Sequence, residues 1–305
     1  MFLGSCFAAY IGEQMKLRKM STMINPSGTI YNPESILTTI NNIVSNKRAV
    51  MSDLYNFNDV WISFDHYTDF SSDNPDELLD KINKQNEKAF SFLKKASFLF
   101  ITFGTARVYK FKEIGAIVSN CHKIPSINFD SELLSVESIV DRWQSILDKL
   151  SAFNTELKVV FTISPVRHWK DGAYGNQLSK SVLFLAIDEL MKHKTKPSYF
   201  PAYEIQMDDL RDYRFYADDM LHPSSLAVDY IWGKFSEVYF DRQTVELQQS
   251  VHKITKAAGH RIMTDSKIKT KMFAEKILKQ IEGISKKTNL VDFSSEIDYF
   301  TSLLR

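Results

Sequence analysis

The chain has 305 residues, 44% hydrophobic and 25% charged, with a net charge of +1. Those values lie near the average for soluble globular proteins and exclude disorder, collagen-like repeats and coiled coil as the main state. The balanced charge carries no sign of a nucleic-acid partner, and the length fits one large domain or two smaller ones. Cys6 and Cys121 make no disulfide framework, so a reducing compartment, and hence a cytoplasmic location, is expected. No apolar run approaches the roughly 18 residues that cross a bilayer, so no membrane span is expected. The opening Met1-Phe2-Leu3-Gly4-Ser5-Cys6 superficially looks like a lipoprotein cleavage box. Too few residues precede Cys6 for the basic and apolar regions of a signal peptide, and that reading is set aside.

In chain order, a short strand over 1–3 leads into a helix over 6–20, with Phe7, Ile11 and Met15 at helical spacing. A second helix, 34–46, follows Asn32-Pro33, and a third, 75–95, opens on Pro75. Phe98–Phe103 is a continuous apolar run of the buried-strand type, and 107–119 reads as a strand pair turning near Glu113–Gly115. The clearest amphipathic helix is 132–150, through Val136, Ile139, Val140, Trp143, Ile146, Leu147 and Leu150. Leu157–Ile163 is another buried strand, 176–192 a helix, 198–206 a strand, and 223–240 a helix opened by Pro223. Strands alternating with long helices predict an α/β fold with a parallel sheet covered on both faces.

The character changes near residue 244. Residues 251–290 carry ten Lys/Arg against three Asp/Glu, with apolar residues at helical spacing. We divide the chain into 1–243, a candidate catalytic domain, and 244–305, a basic and mainly helical extension. Helices of that length are marginal in water without packing, so Ile254, Ile262, Ile277 and Ile281 are expected against the sandwich. A solvated face is the default for the basic surface, and contact with a polyanion is the alternative.

In open parallel sheets, ligands bind outside the carboxyl ends of the strands. Four segments fall at such places: Gly4-Ser5-Cys6, Gly104-Thr105-Ala106-Arg107, Ser164-Pro165-Val166-Arg167-His168 and Asp219-Met220-Leu221-His222. Ser5 sits where a strand ends and a helix begins, where helix N–H groups face a developing oxyanion. Capping that helix is the other role open to it. The spacing Asp219-x-x-His222 lets a carboxylate reach Nδ1 and leaves Nε2 to take a proton from a hydroxyl; an ordinary acidic loop is the alternative.

The ordered set Phe2-Leu3-Gly4-Ser5-Cys6-Phe7-Ala8, Asn32-Pro33, Gly104-Thr105-Ala106, Asn120-Cys121-His122-Lys123, Ser164–His168, Asp171-Gly172, Asn176, Ser179-Lys180 and Asp219–Ser224 resembles the GSCFA domain family, a branch of the SGNH/GDSL-type hydrolases. The resemblance covers residues 1 to about 240. It implies a three-layer α/β/α sandwich, with Ser5 as nucleophile and Asp219 and His222 completing the catalytic set. It further implies oxyanion contacts from the N–H groups of Ser5 and Gly28. The superfamily's third block is Gly-x-Asn, and here Ala106 stands where the Asn side chain would complete the oxyanion hole. We expect Asn120 to supply that donor. Members generally carry a segment ahead of the signature, so the first strand is expected to be shortened.

Cys6 is expected to point into helix packing. His66, Thr105, Arg107, His122, Arg167 and His168 are candidate substrate contacts, Arg167 by bidentate pairing with an anion. No spacing matches a zinc motif, and neither a metal nor a cofactor is expected. The function so implied is hydrolysis of an O-acyl ester, such as an O-acetyl group on a carbohydrate, through an acyl-Ser intermediate. Acyl transfer by the same residues and ligand binding without turnover are the alternatives.

Overall fold

The structure is a computed structural model and describes residues 1–259 and 266–304. In chain order its elements are β1 (Phe2–Gly4), α1 (Cys6–Lys16), α2 (Pro33–Val44), β2 (Tyr55–Phe57), β3 (Val60–Ile62), β4 (Ser71–Ser72), α3 (Pro75–Leu93), β5 (Phe98–Phe103), β6 (Arg107–Phe111), β7 (Ala116–Val118), β8 (Phe129–Leu133), α4 (Val136–Phe153), β9 (Lys158–Ile163), α5 (Gly172–Met191), β10 (Ser198–Tyr199), α6 (Ala202–Glu204), α7 (Ser225–Tyr239), α8 (Arg242–Gly259), α9 (Lys267–Ser285) and α10 (Ser294–Ser302). The fold is the expected α/β sandwich with a helical C-terminal region.

The central sheet is parallel throughout, in the order β1-β5-β9-β10. Ile24 adds a parallel bridge to Phe2 on the other edge of β1. Alternate residues of each strand face opposite sides. Leu3, Leu99, Ile101, Phe103, Val159, Phe161 and Ile163 enter a core with Ile36 and Ile40 of α2, Leu93 of α3, Trp143 and Leu147 of α4, and Leu183 and Ile187 of α5. On the opposite side Phe98, Phe100 and Phe2 stack in a row, with ring centroids 5.6 and 4.8 Å apart. A strand buried on both sides has no polar face, which is why β5 and β9 read as unbroken apolar runs.

Helix starts follow local chemistry. Asn32 caps α2 by accepting from the Ser35 amide at 2.8 Å, with Pro33 in the first turn, and Asn74 and Pro75 repeat the arrangement at α3. The strand pair over 107–119 is β6 and β7, and β8, inside the stretch read as loop and helix start, pairs with the other edge of β6. A second antiparallel sheet, β2-β3-β4, was not expected either. The strand expected over 198–206 stops after Tyr199, because Pro201 has no N–H for the ladder and the chain turns into α6 and a wide helical turn over Ile205–Asp209.

By its internal packing the chain divides into two units, residues 1–12 with 23–231, and residues 13–22 with 232–305. In the second unit Ile254, Ile277 and Ile281, expected against the sandwich, are buried together with Val251, Ala274, Phe293 and Phe300 in a core of that unit's own. Ile262 lies outside the described residues. Lys19 pairs with Glu296 at 2.7 Å in the same unit. Among the described residues no helix is long and apolar enough to cross a membrane.

Candidate active site

Gly4 ends β1 with φ +130°, a conformation that side chains avoid, and a Cβ there would fall 2.1 Å from the Thr102 carbonyl oxygen of β5. Only glycine lets the chain leave the sheet this close to its neighbour. The Gly4 amide donates to Asn25 Oδ1 at 2.9 Å. Ser5 follows at the mouth of α1 and is 1% exposed. Its Oγ accepts from the Phe7 amide at 3.3 Å, so it caps the helix while standing at the carboxyl end of the sheet.

The loop after β5 brings Gly104 under Ser5. A Cβ on Gly104 would lie 3.4 Å from Ser5 Cβ, 3.1 Å from His168 Nε2 and 3.0 Å from the Tyr31 carbonyl oxygen. That carbonyl accepts the amides of Gly104 and Thr105 at 2.7 and 3.0 Å. From below, the fully buried Lys180 of α5 donates to the carbonyls of Gly104 at 2.7 Å and Ser164 at 2.6 Å. Burial lowers the Lys180 ammonium to about 7.

His222 sits on the loop before α7. Asp219 Oδ2 meets its Nδ1 at 2.5 Å, while Asp219 Oδ1 accepts the amides of Leu221 and His222, both at 2.9 Å. Those two amides and then the imidazole hold the Asp219 carboxyl down to about 2. The chain reaches this shape through Met220 at φ +61°. Arg167, in the loop after β9, anchors the His222 loop: its amide reaches the Leu221 carbonyl at 3.4 Å, and its guanidinium donates to the Tyr216 hydroxyl at 2.9 Å. Tyr10 of α1 meets the His222 ring edge-on at 6.5 Å. Ser5, Gly104, His168, His222 and Asp219 thus gather at one end of the sheet. No hydrogen bond joins Ser5 to His222 among the described residues. In unliganded sites such bonds are often long and tighten only around substrate.

The other expected contacts are placed differently. Thr105 Oγ1 shares a hydrogen bond with Ser179 Oγ at 2.8 Å and stitches the Gly104 loop to α5. Arg107 faces Asp171 at 3.4 Å as an ion pair. His66 and His122 form a separate cluster on Ser63, His66 Nδ1 against its Oγ at 2.8 Å and His122 Nε2 against its carbonyl at 2.9 Å. Burial, reinforced by His122, pushes His66 down to about 4. Gly28, expected to offer its N–H to an oxyanion, donates it to the Asn25 carbonyl at 2.8 Å, because the turn over 25–28 closes that way. The Ser5 amide likewise reaches Thr102 O at 3.2 Å. Asn120, expected to donate to the oxyanion, is held through its Oδ1, which accepts from the His122 amide at 2.7 Å and the Thr68 hydroxyl at 3.4 Å, within the loop after β7. Cys6, expected in helix packing, is half-buried with Sγ 3.7 Å from the Tyr31 hydroxyl.

Sequence reasoning missed the parts played by Tyr10, Asn25, Tyr31, Asn176 and Lys180. Lys180 was within reach: it falls on the stripe Asn176, Leu183, Ile187, Leu190, all buried, where a charge has no ordinary place. No group of three or more His, Cys, Asp or Glu among the described residues is placed to hold a metal ion.

A parallel sheet flanked by helices, with a buried serine at the end of its first strand and a histidine held by a carboxylate on the loop before α7, makes this an α/β protein with a helical C-terminal region. The chain belongs to the GSCFA family, whose model matches residues 1–235, and residues 251–305 match the GSCFA domain protein, C-terminal domain. Comparisons with curated proteins and with solved structures return no match.

Proposed function

We propose that the chain is a serine hydrolase of the SGNH type that cleaves an O-acyl ester through an acyl-Ser5 intermediate. The observation that carries this reading is the Asp219–His222 pair at 2.5 Å, held beside the helix that Ser5 opens. Asp219 binds Nδ1 and so leaves Nε2 as the basic nitrogen. Ser5 Oγ attacks the ester carbonyl carbon and its proton passes to His222 Nε2. The carbonyl π pair moves to oxygen, giving an oxyanion. The C–O bond to the alcohol then breaks, and His222 returns the proton to that alcohol as it leaves. Water repeats the sequence on the acyl-Ser, and the carboxylic acid departs. Ser5 stands at the amino end of α1, whose first amides lack intrahelical acceptors and whose dipole favours a negative charge there.

Trp169, next to His168, and Tyr213, ahead of the His222 loop, are 50% and 76% exposed. Exposed aromatic faces beside the catalytic loops fit a sugar-borne acyl group, whose ring packs on such surfaces while its hydroxyls stay wet. Discharge of the acyl group to a sugar hydroxyl in place of water gives an acyltransferase with the same residues.

The burial of Ser5 and the engagement of its amide favour a second reading, ligand binding at this site without turnover. Labelling with a fluorophosphonate followed by peptide mass spectrometry separates the two. Modification at Ser5, lost in Ser5→Ala and accompanied by turnover of a short-chain p-nitrophenyl ester, supports the hydrolase. Absence of both across several acyl lengths leaves the binding protein.

A further inference from the structure

We propose that the His168 imidazole, protonated on Nε2, is the side-chain hydrogen-bond donor to the oxyanion formed on Ser5, the place that the family resemblance gave to an Asn at position 106. The inference rests on the hydrolase reading above and names a group that reading lacks.

Four observations converge on it. His168 Nε2 is buried and has no hydrogen-bond partner among the described residues. A buried polar nitrogen without a partner carries a desolvation cost, and in a folded protein that cost needs a reason. The atom is also aimed at the reacting centre. A Cβ on Gly104 would touch both His168 Nε2, at 3.1 Å, and Ser5 Cβ, at 3.4 Å, so Nε2 is no farther from Ser5 Cβ than those two distances laid end to end. The oxyanion of a tetrahedral intermediate lies two bonds beyond Ser5 Oγ and takes donors at about 2.7–3.1 Å, which falls within that span. Gly104 keeps the space open, since any side chain there would stand between the two groups.

The ring is held before substrate arrives. Its backbone amide donates to the buried Asn176 Oδ1 at 3.0 Å, and Tyr31 packs against it edge to face at 5.4 Å. Burial, with the charges of Lys180 and His222 adding to it, lowers His168 to about 4. At neutral pH the ring is therefore an uncharged imidazole that can donate from Nε2 but is a poor base, which leaves proton transfer to His222.

The neighbouring groups of the Gly104 loop are engaged. Ala106 is a fully buried methyl in the core, and its amide donates to Ser179 Oγ at 2.7 Å. Thr105 is bonded to the same hydroxyl.

The test compares His168→Ala, His168→Phe and His168→Gln with the full chain and with Ser5→Ala, in p-nitrophenyl acetate turnover and in the rate of Ser5 labelling by a fluorophosphonate. Thermal melting confirms that each variant is folded. The donor role predicts a loss of about 10²–10³ in kcat with little change in KM for Ala and Phe, and recovery of at least about tenfold in Gln, which donates a hydrogen bond but takes no proton. Phe preserves the packing on Tyr31, so it decides the matter where Ala does not fold. Ser5-dependent turnover that survives His168→Phe within about threefold overturns the inference and leaves the hydrolase reading intact. Gln as inactive as Ala, with His222→Ala still active, overturns it too, because His168 would then be the base. A chain with neither Ser5-dependent turnover nor labelling overturns the hydrolase reading first and the inference with it.

Discussion

Lys180 offers a thermodynamic test of the platform beneath Ser5. Its ammonium is fully buried, its two close partners are the Gly104 and Ser164 carbonyls, and burial takes it from 10.5 to about 7. Between those values the unfolded chain binds a proton that the folded chain lacks, so stability rises with pH. Below about 7 both states are protonated and the full penalty stands, on the order of 5 kcal/mol at about 1.4 kcal/mol per pH unit. Integrated from about pH 7 to about pH 9, the Lys180 contribution increases stability by about 2 kcal/mol. Lys180→Met removes this pH dependence. It also deprives two buried carbonyls of their donor, which costs about 1–3 kcal/mol but does not vary with pH. The expected result is a difference between the two proteins, from urea unfolding at matched pH values, that moves by about 2 kcal/mol in favour of Lys180 across that range. Buried tyrosines and the amino terminus titrate in both proteins and cancel in the difference. Parallel stability curves would refute the reasoning, since Lys180 would then keep its charge throughout.

Ser5→Ala leaves the melting temperature close to that of the parent and abolishes esterase turnover, a loss of up to about 10⁶ in kcat measured against a p-nitrophenyl ester. Asp219→Asn lowers kcat by about 10²–10⁴ by freeing the His222 tautomer, with KM little changed in the same assay. Gly4→Ala places a methyl 2.1 Å from a β-strand carbonyl at φ +130°, and is expected to lose the cooperative melt of the sandwich. Trp169→Ala raises KM for a sugar-borne acetyl ester and leaves KM for p-nitrophenyl acetate unchanged; equal effects on both would remove the aromatic surface from substrate binding.

The parts of the fold that could be read from sequence are those whose pattern is local. β5 and β9 stand out because burial on both faces demands unbroken apolar residues, and α4 because one face of it is buried. The hairpin of β2 and β3 was legible in principle: Asn58 and Asp59 between Phe57 and Val60 both take positive φ, as a two-residue hairpin turn requires. Its strands are three residues long and carry Tyr, Asn and Trp, too short for alternation to register. The run Ser198–Gln206 misleads in the other direction. Its aromatic and branched residues fit a strand, but one proline after two paired residues is enough to end the ladder.

The candidate site divides along the same line. Asp219 and His222 are three residues apart, and their pairing needs nothing beyond one loop. The His168 contact with the Ser5 site depends on three segments meeting: the carboxyl ends of β1, β5 and β9, brought side by side by a register that pairs Gly4 with Thr102 and Phe103 with Ile163. It depends equally on what is missing, a side chain on Gly104. Sequence reasoning looked for the lost Asn among amides and chose Asn120, whereas the group that the fold brings beside Ser5 across Gly104 is the His168 imidazole. The parallel sheet delivers the loop after β9 to the position beside the loop after β5, so a donor absent from one strand end is replaced from its neighbour. On that argument the Gly104 position and the His168 position are one feature: Gly104→Ala, with its methyl 3.1 Å from Nε2, lowers Ser5 labelling as much as His168→Phe does, and the double variant loses no more than either alone. Losses that multiply in the double variant would show that Gly104 and His168 act separately.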